Sequence, residues 1–237
     1  MIESAALANL TKAAKSYTRD IGELISAGST TEPTYYPSVR SLISAALAVE
    51  DLPFSVRINT SEQKSGGGFN LPDVALYDSG GEYLVICGEV KLPAVEIDQL
   101  AISTENKDQI GRYLAATRAV LVTNVRAFGL VTVSPKWKGD GPVPPEARRI
   151  EQVAELWPSV SALKVGKAIE PSALDAFAEL IEAAVTRFAP IAARITRADS
   201  CEAGAPGKGG PPREIHACSA GSVGRLRKSV GRELCRP

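Results

Sequence analysis

Apolar residues near the N-terminus recur at intervals of three and four, which is the spacing of one face of a helix. The pattern spans residues 3–27 and stops at Gly28, and glycine commonly follows the last residue of a helix. The same spacing predicts a second helix over residues 36–49. We therefore expect two amphipathic helices with these residues facing a core: Leu7, Leu10, Ala14, Tyr17, Ile21, Leu24, Val39, Leu42, Ile43, Ala46 and Leu47.

The pattern changes to that of strands in the middle of the chain. Residues 54–60 alternate between apolar and polar positions, and residues 119–123 and 128–133 are short apolar runs rich in β-branched side chains, which is typical of strands. A β-hairpin is predicted over residues 70–91, and a helix should follow it. The order helix, three strands, helix, strand predicts an α/β fold with a central mixed β-sheet flanked by helices.

The C-terminal part of the sequence has a different character. Beyond a turn-rich boundary at residues 139–145, two helical segments are predicted, at residues 146–157 and 171–188. From about residue 198 the apolar periodicity disappears, and such a segment cannot offset the entropy lost on ordering. The predicted divisions are a sheet domain at residues 1–140, a helical appendage at 141–197, and a disordered basic tail at 198–237, for which out-of-frame sequence is the alternative.

Composition and charge indicate which classes of protein the sequence fits. The chain has 27 basic and 27 acidic residues and is 44% hydrophobic, so we expect a soluble globular protein in which any nucleic acid binds a local basic face. No apolar run approaches the ~20 residues that span a bilayer, and a cytoplasmic protein without a membrane partner is expected. The four cysteines form no Cys-x-x-Cys pair and there is one histidine, which argues against a zinc site.

Three charged residues of the predicted hairpin can share one face. Glu89 and Lys91 are two residues apart, and the side chains of a strand alternate between its faces. Asp73 lies on the partner strand, and Ser79-Gly80-Gly81 marks the turn between the strands. The two carboxylates converge if the loop has three residues or if a bulge restores the phase, whereas a two-residue loop would place Asp73 on the opposite face.

Two carboxylates and a lysine on one buried face indicate a metal site, because like charges repel and burial penalises each ion. Mg²⁺ takes oxygen ligands, commonly one or two carboxylates together with waters and phosphate oxygens. Beside such a cation, the ammonium of Lys91 would orient an attacking water or stabilise the phosphorus centre. The pattern therefore predicts phosphodiester hydrolysis, and the alternative is a surface hairpin whose charges are solvated.

The same residues carry a resemblance to a known superfamily. Pro72-Asp73, then fifteen residues, then Glu89-Val90-Lys91 resembles the PD-(D/E)xK motif of restriction-endonuclease-like nucleases. Gln109 and Tyr113, on one face of the following predicted helix, are similar to the Gln-x-x-x-Tyr element of the RecB-like branch. Glu32, just before the second helix, matches the place of an additional acidic residue in such nucleases.

The resemblance implies a particular fold, an activity and a set of site residues. The fold would have a restriction-endonuclease-like core, and the enzyme would be a Mg²⁺-dependent DNA endonuclease, with Mn²⁺ as a substitute. Asp73, Glu89 and the carbonyl of Val90 would bind the metal ion, and Lys91 would act at the attacking water. Double-strand cleavage needs two active sites, so a homodimer is expected for it, whereas one chain would suffice to nick DNA.

More narrowly, residues 1–195 resemble the N-terminal nuclease module of single-chain restriction-modification enzymes. In those enzymes an adenine-N6 DNA methyltransferase follows the nuclease, but this chain has no Asn-Pro-Pro-Tyr motif and no target-recognition region. A methyltransferase or target-recognition partner, or fused domains, is therefore expected. Two alternatives stay open at this point: a truncated, inactive remnant of such a fusion, and an RNA or structure-specific nuclease on the same fold. The sequence specifies neither a recognition site nor a cutting pattern.

Overall fold

Six α-helices and six strands make up the part of the chain that the computed structural model describes, which is residues 2–49, 51–58, 72–78, 80–81, 83–139 and 141–203. The helices are α1 (Ile2–Ser26), α2 (Tyr36–Val49), α3 (Ile97–Ile102), α4 (Glu105–Thr117), α5 (Val160–Lys164) and α6 (Pro171–Ala203). The strands are β1 (Phe54–Ile58), β2 (Val74–Asp78), β3 (Leu84–Val90), β4 (Ala119–Thr123), β5 (Ala127–Val133) and β6 (Arg148–Glu155). A 3₁₀ helix, Glu32–Tyr35, leads directly into α2.

These six strands form one open sheet in the order β1-β2-β3-β4-β5-β6. Neighbouring strands are antiparallel except β3 and β4, which are parallel. The chain travels from β3 to β4 through α3 and α4, because parallel neighbours need a crossover rather than a tight turn. The predicted α/β class, a mixed sheet flanked by helices, is confirmed.

Helices cover both faces of the sheet, so the central strands are buried throughout. One hydrophobic cluster joins α1, α2 and α6 to the sheet, and a smaller one joins α3 and α4 to the opposite face. Consecutive residues of β4 alternate between the clusters, with Leu121 in the first and Val122 in the second. This alternation is the period of two expected of a strand. None of the described helices is long and apolar enough to cross a bilayer.

The helix predicted at residues 146–157 is wrong. Its middle is strand β6, Arg148–Glu155, which pairs with β5 as the last strand of the sheet. Ile150, Val153, Ala154 and Trp157 have helical spacing, but the observed burial instead alternates along β6. Over so short a stretch, an edge strand with one covered face and one solvated face can thus show the apolar spacing that is typical of a helix.

The predicted disordered tail at residues 198–237 stays a prediction. Helix α6 runs from Pro171 to Ala203, beyond the predicted segment 171–188, and the remainder of the predicted tail lies outside the described residues. Gly204 follows Ala203 in sequence, and a glycine at this place is a helix-stop signal. Two units divide the chain, Met1–Ser200 and Cys201–Pro237; the boundary predicted at residue 140 stays a prediction.

Candidate active site

The register of the central hairpin determines where the predicted carboxylates lie. Strands β2 and β3 are antiparallel, with Val74 opposite Gly88, so that Asp73 falls opposite Glu89 one step further along. The register shifts by one residue between Leu76 and Tyr77. This irregularity is a bulge, one of the two arrangements predicted to bring the carboxylates together, the other being a three-residue loop. Directly opposed residues share a face of the sheet, which places both carboxylates on the same side.

Glu89 and Lys91 form a buried ion pair. The Nζ atom of Lys91 lies 2.8 Å from Oε1 of Glu89 and 3.3 Å from Oε2 of Glu32. Asp73, Glu89 and Lys91 are each at most 9% exposed, and Glu32 is partly buried. Within the described residues the Lys91 ammonium contacts two of these carboxylates, Glu89 and Glu32, and Asp73 adds a third, so this part of the cluster has an excess of negative charge.

Asp73 is bound through both of its carboxylate oxygens. The hydroxyl of Tyr36 donates to Oδ1, and the backbone N–H of Val90 donates to Oδ2 at 2.9 Å. The N–H of Lys91 donates to the carbonyl of Thr123 in β4 at 2.8 Å. Because the C=O and the following N–H of a trans peptide point in opposite directions, the carbonyl of Val90 points away from β4, toward the side on which Asp73 lies.

One oxygen of this cluster has no hydrogen bond to any residue that the structure describes. Oε2 of Glu89 is buried and finds no donor among the described residues. A buried carboxylate oxygen without a partner is costly, because the lost hydration is not replaced. Such an atom in a polar cluster is a candidate ligand for a cation or a water molecule.

Burial and crowding alter the acidity of these groups. Burial, followed by the negative charge of Asp73, raises the pKa of Glu89 to about 7. Burial also raises the pKa of Asp73, although the hydrogen bonds from Tyr36 and Val90 oppose the shift. Burial alone would lower the pKa of Lys91, but the carboxylates of Glu89 and Glu32 raise it above its usual value. Lys91 is therefore a permanent cation at neutral pH, and the carboxylates are held in an unfavourable environment for two negative charges.

The oxygen donors fit a hard divalent cation. Asp73 and Glu89 offer two carboxylates, and the Val90 carbonyl faces the same side. Nowhere in the described ranges do three His, Cys, Asp or Glu side chains group closely enough to hold a metal ion by themselves. A set of two carboxylates and one carbonyl suits Mg²⁺, which is usually bound through one or two carboxylates and retains several waters.

Gln109 and Tyr113 lie on α4, which packs on β3 and β4. Nε2 of Gln109 donates to the hydroxyl of Tyr113 at 2.5 Å, and both side chains are buried. Burial raises the pKa of Tyr113, and the charges of Glu89 and Asp73 add to the shift. The predicted pair is thus joined on one helical face beside the site.

The sequence alone does not predict which groups hold the helical turn that precedes Gln109. Asp108, directly before Gln109, has a positive φ of 59°, a conformation that costs most non-glycine residues energy. Its carboxylate accepts a hydrogen bond from the N–H of Gly111 at 3.0 Å and one from the buried guanidinium of Arg148 in β6. A single residue of β6 therefore holds the turn from which Gln109 projects.

Gly111 packs against this turn too tightly for a side chain. A methyl group placed on Gly111 would lie 2.7 Å from the carbonyl oxygen of Val143 and would also meet the carboxylate of Asp108. We expect Gly111→Ala to destabilise the fold by about 1–3 kcal/mol, because overpacking displaces backbone. Urea unfolding of the purified protein measures this change.

Gly22 provides the matched control for that substitution. It lies in α1, and an added methyl group would be 3.7 Å from the carbonyl oxygen of Leu163, its nearest neighbour outside the helix. Gly22→Ala should stabilise the protein by about 0.5–1 kcal/mol, because alanine favours a helix over glycine. Equal effects of the two substitutions would contradict the packing described at Gly111.

Tyr36 is the site residue that the motifs did not reveal. It follows Glu32 by four residues at the junction of the 3₁₀ helix and α2. Both side chains reach the cluster, since Glu32 contacts Lys91 and Tyr36 contacts Asp73. The four-residue spacing between an acid and a tyrosine is a signal in the sequence, but it becomes informative only when the strand partners are known.

A comparison with solved structures gives a distant likeness. No family model matches the chain, and no curated protein matches it. A solved structure that is similar is that of the type IIG restriction endonuclease BpuSI, with 16% sequence identity and a TM-score of 0.44. The similarity covers 65% of this chain and 17% of that protein, so the chain spans about a sixth of the length of the protein it matches.

Proposed function

We propose that this chain is a Mg²⁺-dependent DNA endonuclease domain of a restriction-modification system. The observation that carries the proposal is the buried cluster of Asp73, Glu89 and Lys91, in which one oxygen of Glu89 has no donor among the described residues. A carboxylate pair with an adjacent lysine has the composition needed to hydrolyse a phosphodiester. The resemblance to the PD-(D/E)xK motif agrees with this chemistry.

Asp73, Glu89 and the carbonyl of Val90 would hold the metal ion. Oε2 of Glu89 would gain the partner it lacks, and the repulsion between the two carboxylates would be relieved. When bound, Mg²⁺ lowers the pKa of water and neutralises charge that develops on the phosphate. Mn²⁺ would substitute for it, since both ions accept oxygen ligands.

Lys91 would act as a hydrogen-bond donor and not as a base. The carboxylates of Glu89 and Glu32 raise its pKa, which favours the protonated ammonium, a form with no lone pair for removing a proton. The ammonium can donate to the attacking water or to a phosphate oxygen as negative charge grows there. Glu32, 3.3 Å from Nζ, would hold the ammonium in place as the additional acid.

Gln109 and Tyr113 would position the substrate strand beside the carboxylates. Their mutual hydrogen bond fixes both side chains on one face of α4, and a rigid arrangement loses little entropy when substrate binds. The DNA itself, a methyltransferase or target-recognition partner or fused domains, and a homodimer are the proposed partners.

The simplest test of this function compares the cleavage of DNA and RNA substrates. Labelled duplex DNA, single-stranded DNA and RNA of one sequence would be incubated with the full chain and Mg²⁺, with EDTA as the control. We expect metal-dependent cleavage of duplex DNA. Cleavage of the RNA alone would replace DNA by RNA as the substrate, and cleavage that persists in EDTA would contradict the metal site.

A further inference from the structure

Two consecutive tyrosines have different partners. The hydroxyl of Tyr35 donates to the carbonyl of Ser29 at 3.2 Å, whereas the hydroxyl of Tyr36 donates to Oδ1 of Asp73. Both side chains are buried. A buried tyrosine hydroxyl needs an acceptor, and a backbone carbonyl such as that of Ser29 satisfies this need without any functional group. Tyr36 instead uses a carboxylate of the candidate active site.

The contact with Tyr36 restricts the rotation of the Asp73 carboxylate. The N–H of Val90 already holds Oδ2 at 2.9 Å, and one hydrogen bond would leave the carboxylate plane able to turn. A second donor on Oδ1 fixes that plane. An ionised carboxylate has about four lone-pair positions, so the two donors found among the described residues leave two for other ligands and set their directions.

Tyr36 itself is held by a stiff segment. The 3₁₀ helix Glu32–Tyr35 has a proline in its first turn and passes directly into α2, where Pro37 follows Tyr36. Proline fixes φ, and Tyr36 packs in the same hydrophobic cluster as Val39 and Leu42. The Tyr36 hydroxyl is therefore carried by a segment that is anchored in the core, and this anchoring restricts where the hydroxyl can lie.

We propose that Tyr36 is a positioning residue, whose hydroxyl orients the carboxylate of Asp73 for binding a divalent cation. The inference rests on the proposed function, because it requires a cation at Asp73. Partners of this kind, which hold a ligand without touching the metal, typically change metal affinity by about 10–100-fold. The role is separate from packing, since phenylalanine preserves the ring and removes only the donor.

The test is the Mg²⁺ dissociation constant of the full chain, measured by titration calorimetry without nucleic acid. Tyr36→Phe should weaken Mg²⁺ binding by about 10-fold or more. Tyr35→Phe, which loses the hydroxyl of the neighbouring tyrosine and its bond to a backbone carbonyl, should leave it within about twofold. Thermal unfolding without metal is measured in parallel to show that both variants are folded. Tyr36→Met, which also lacks a donor and packs adaptably, carries the same expectation if the phenylalanine variant does not fold.

Asp73→Asn separates this inference from the proposed function. If Asp73→Asn abolishes Mg²⁺ binding while Tyr36→Phe binds as the unchanged chain does, Asp73 is a ligand and the role of Tyr36 is overturned. Equal weakening by Tyr35→Phe and Tyr36→Phe would also overturn it, because the effect would then come from the packing of the segment. No Mg²⁺ binding by the unchanged chain, or full binding by Asp73→Asn, would overturn the metal site and the inference together.

Discussion

Lys91→Ala should lower the rate of DNA cleavage by about 10²–10³-fold, the usual effect of removing one donor that stabilises developing charge. The ammonium lies 2.8 Å from Glu89 and keeps its proton at neutral pH, so no other described group at the site can supply the same cation. Cleavage of supercoiled plasmid in Mg²⁺, measured over time for both proteins, gives the ratio of rates.

The same variant should still bind Mg²⁺. Lys91 is not among the proposed ligands, and its removal leaves Asp73 and Glu89 with more uncompensated negative charge, which favours a cation. A rise in melting temperature on adding Mg²⁺ detects this binding. Lys164→Ala, at an exposed lysine of α5, is the control and should cleave normally. Unchanged cleavage by Lys91→Ala would remove Lys91 from the mechanism.

Glu89→Gln should have two opposite consequences: loss of Mg²⁺ binding and greater stability without metal. The glutamine retains an oxygen for Lys91 and removes one of two facing carboxylate charges. The pKa of Glu89 is raised from 4.5 to about 7, and a tenfold change in an acid dissociation constant corresponds to about 1.4 kcal/mol. We therefore expect the variant to be more stable than the unchanged chain by about 1–3 kcal/mol in EDTA at pH 8.

The pH dependence of that difference has a definite sign. A carboxylate with a raised folded-state pKa contributes stability below its ordinary pKa and loses it as the pH rises through the folded value. The unchanged chain should thus lose stability relative to Glu89→Gln between about pH 4.5 and pH 7. Below about pH 4.5 the two proteins should unfold at similar urea concentrations.

Glu170→Gln is the matched control for the glutamate substitution, since Glu170 is exposed and distant in sequence from the cluster. It should change stability by no more than about 0.5 kcal/mol at any of these pH values. A stability difference for Glu89→Gln that does not depend on pH would contradict the strained carboxylate pair. Retention of Mg²⁺ binding by Glu89→Gln would remove Glu89 from the proposed ligands.

Local patterns in the sequence predict those parts of the site that depend on local geometry. The period of two places Glu89 and Lys91 on one face, and the four-residue spacing joins Gln109 to Tyr113. Both relations hold in the structure, because they follow from the backbone of a single strand or helix. The convergence of Asp73 with Glu89 also depends on the bulge between Leu76 and Tyr77. No residue type in β2 predicts that bulge.

Contacts between distant segments cannot be predicted in this way. The hydrogen bond of Tyr36 to Asp73 spans 37 positions, and the ion pair of Arg148 with Asp108 spans 40. Strand β6 carries apolar residues at helical spacing, but its pairing with β5 at the sheet edge decides its conformation. In each case a contact with a segment that is distant in sequence decides the structure, and tertiary packing overrides local propensity.

The most direct measurement of the central claim is the conversion of supercoiled plasmid to nicked or linear DNA by the full chain, in Mg²⁺ and in EDTA. We expect conversion in Mg²⁺, none in EDTA, and none above background for Asp73→Ala, because loss of that carboxylate removes a proposed metal ligand. Conversion by Asp73→Ala at the rate of the unchanged chain, or no conversion by the folded, Mg²⁺-saturated chain, would contradict the claim that this cluster hydrolyses DNA.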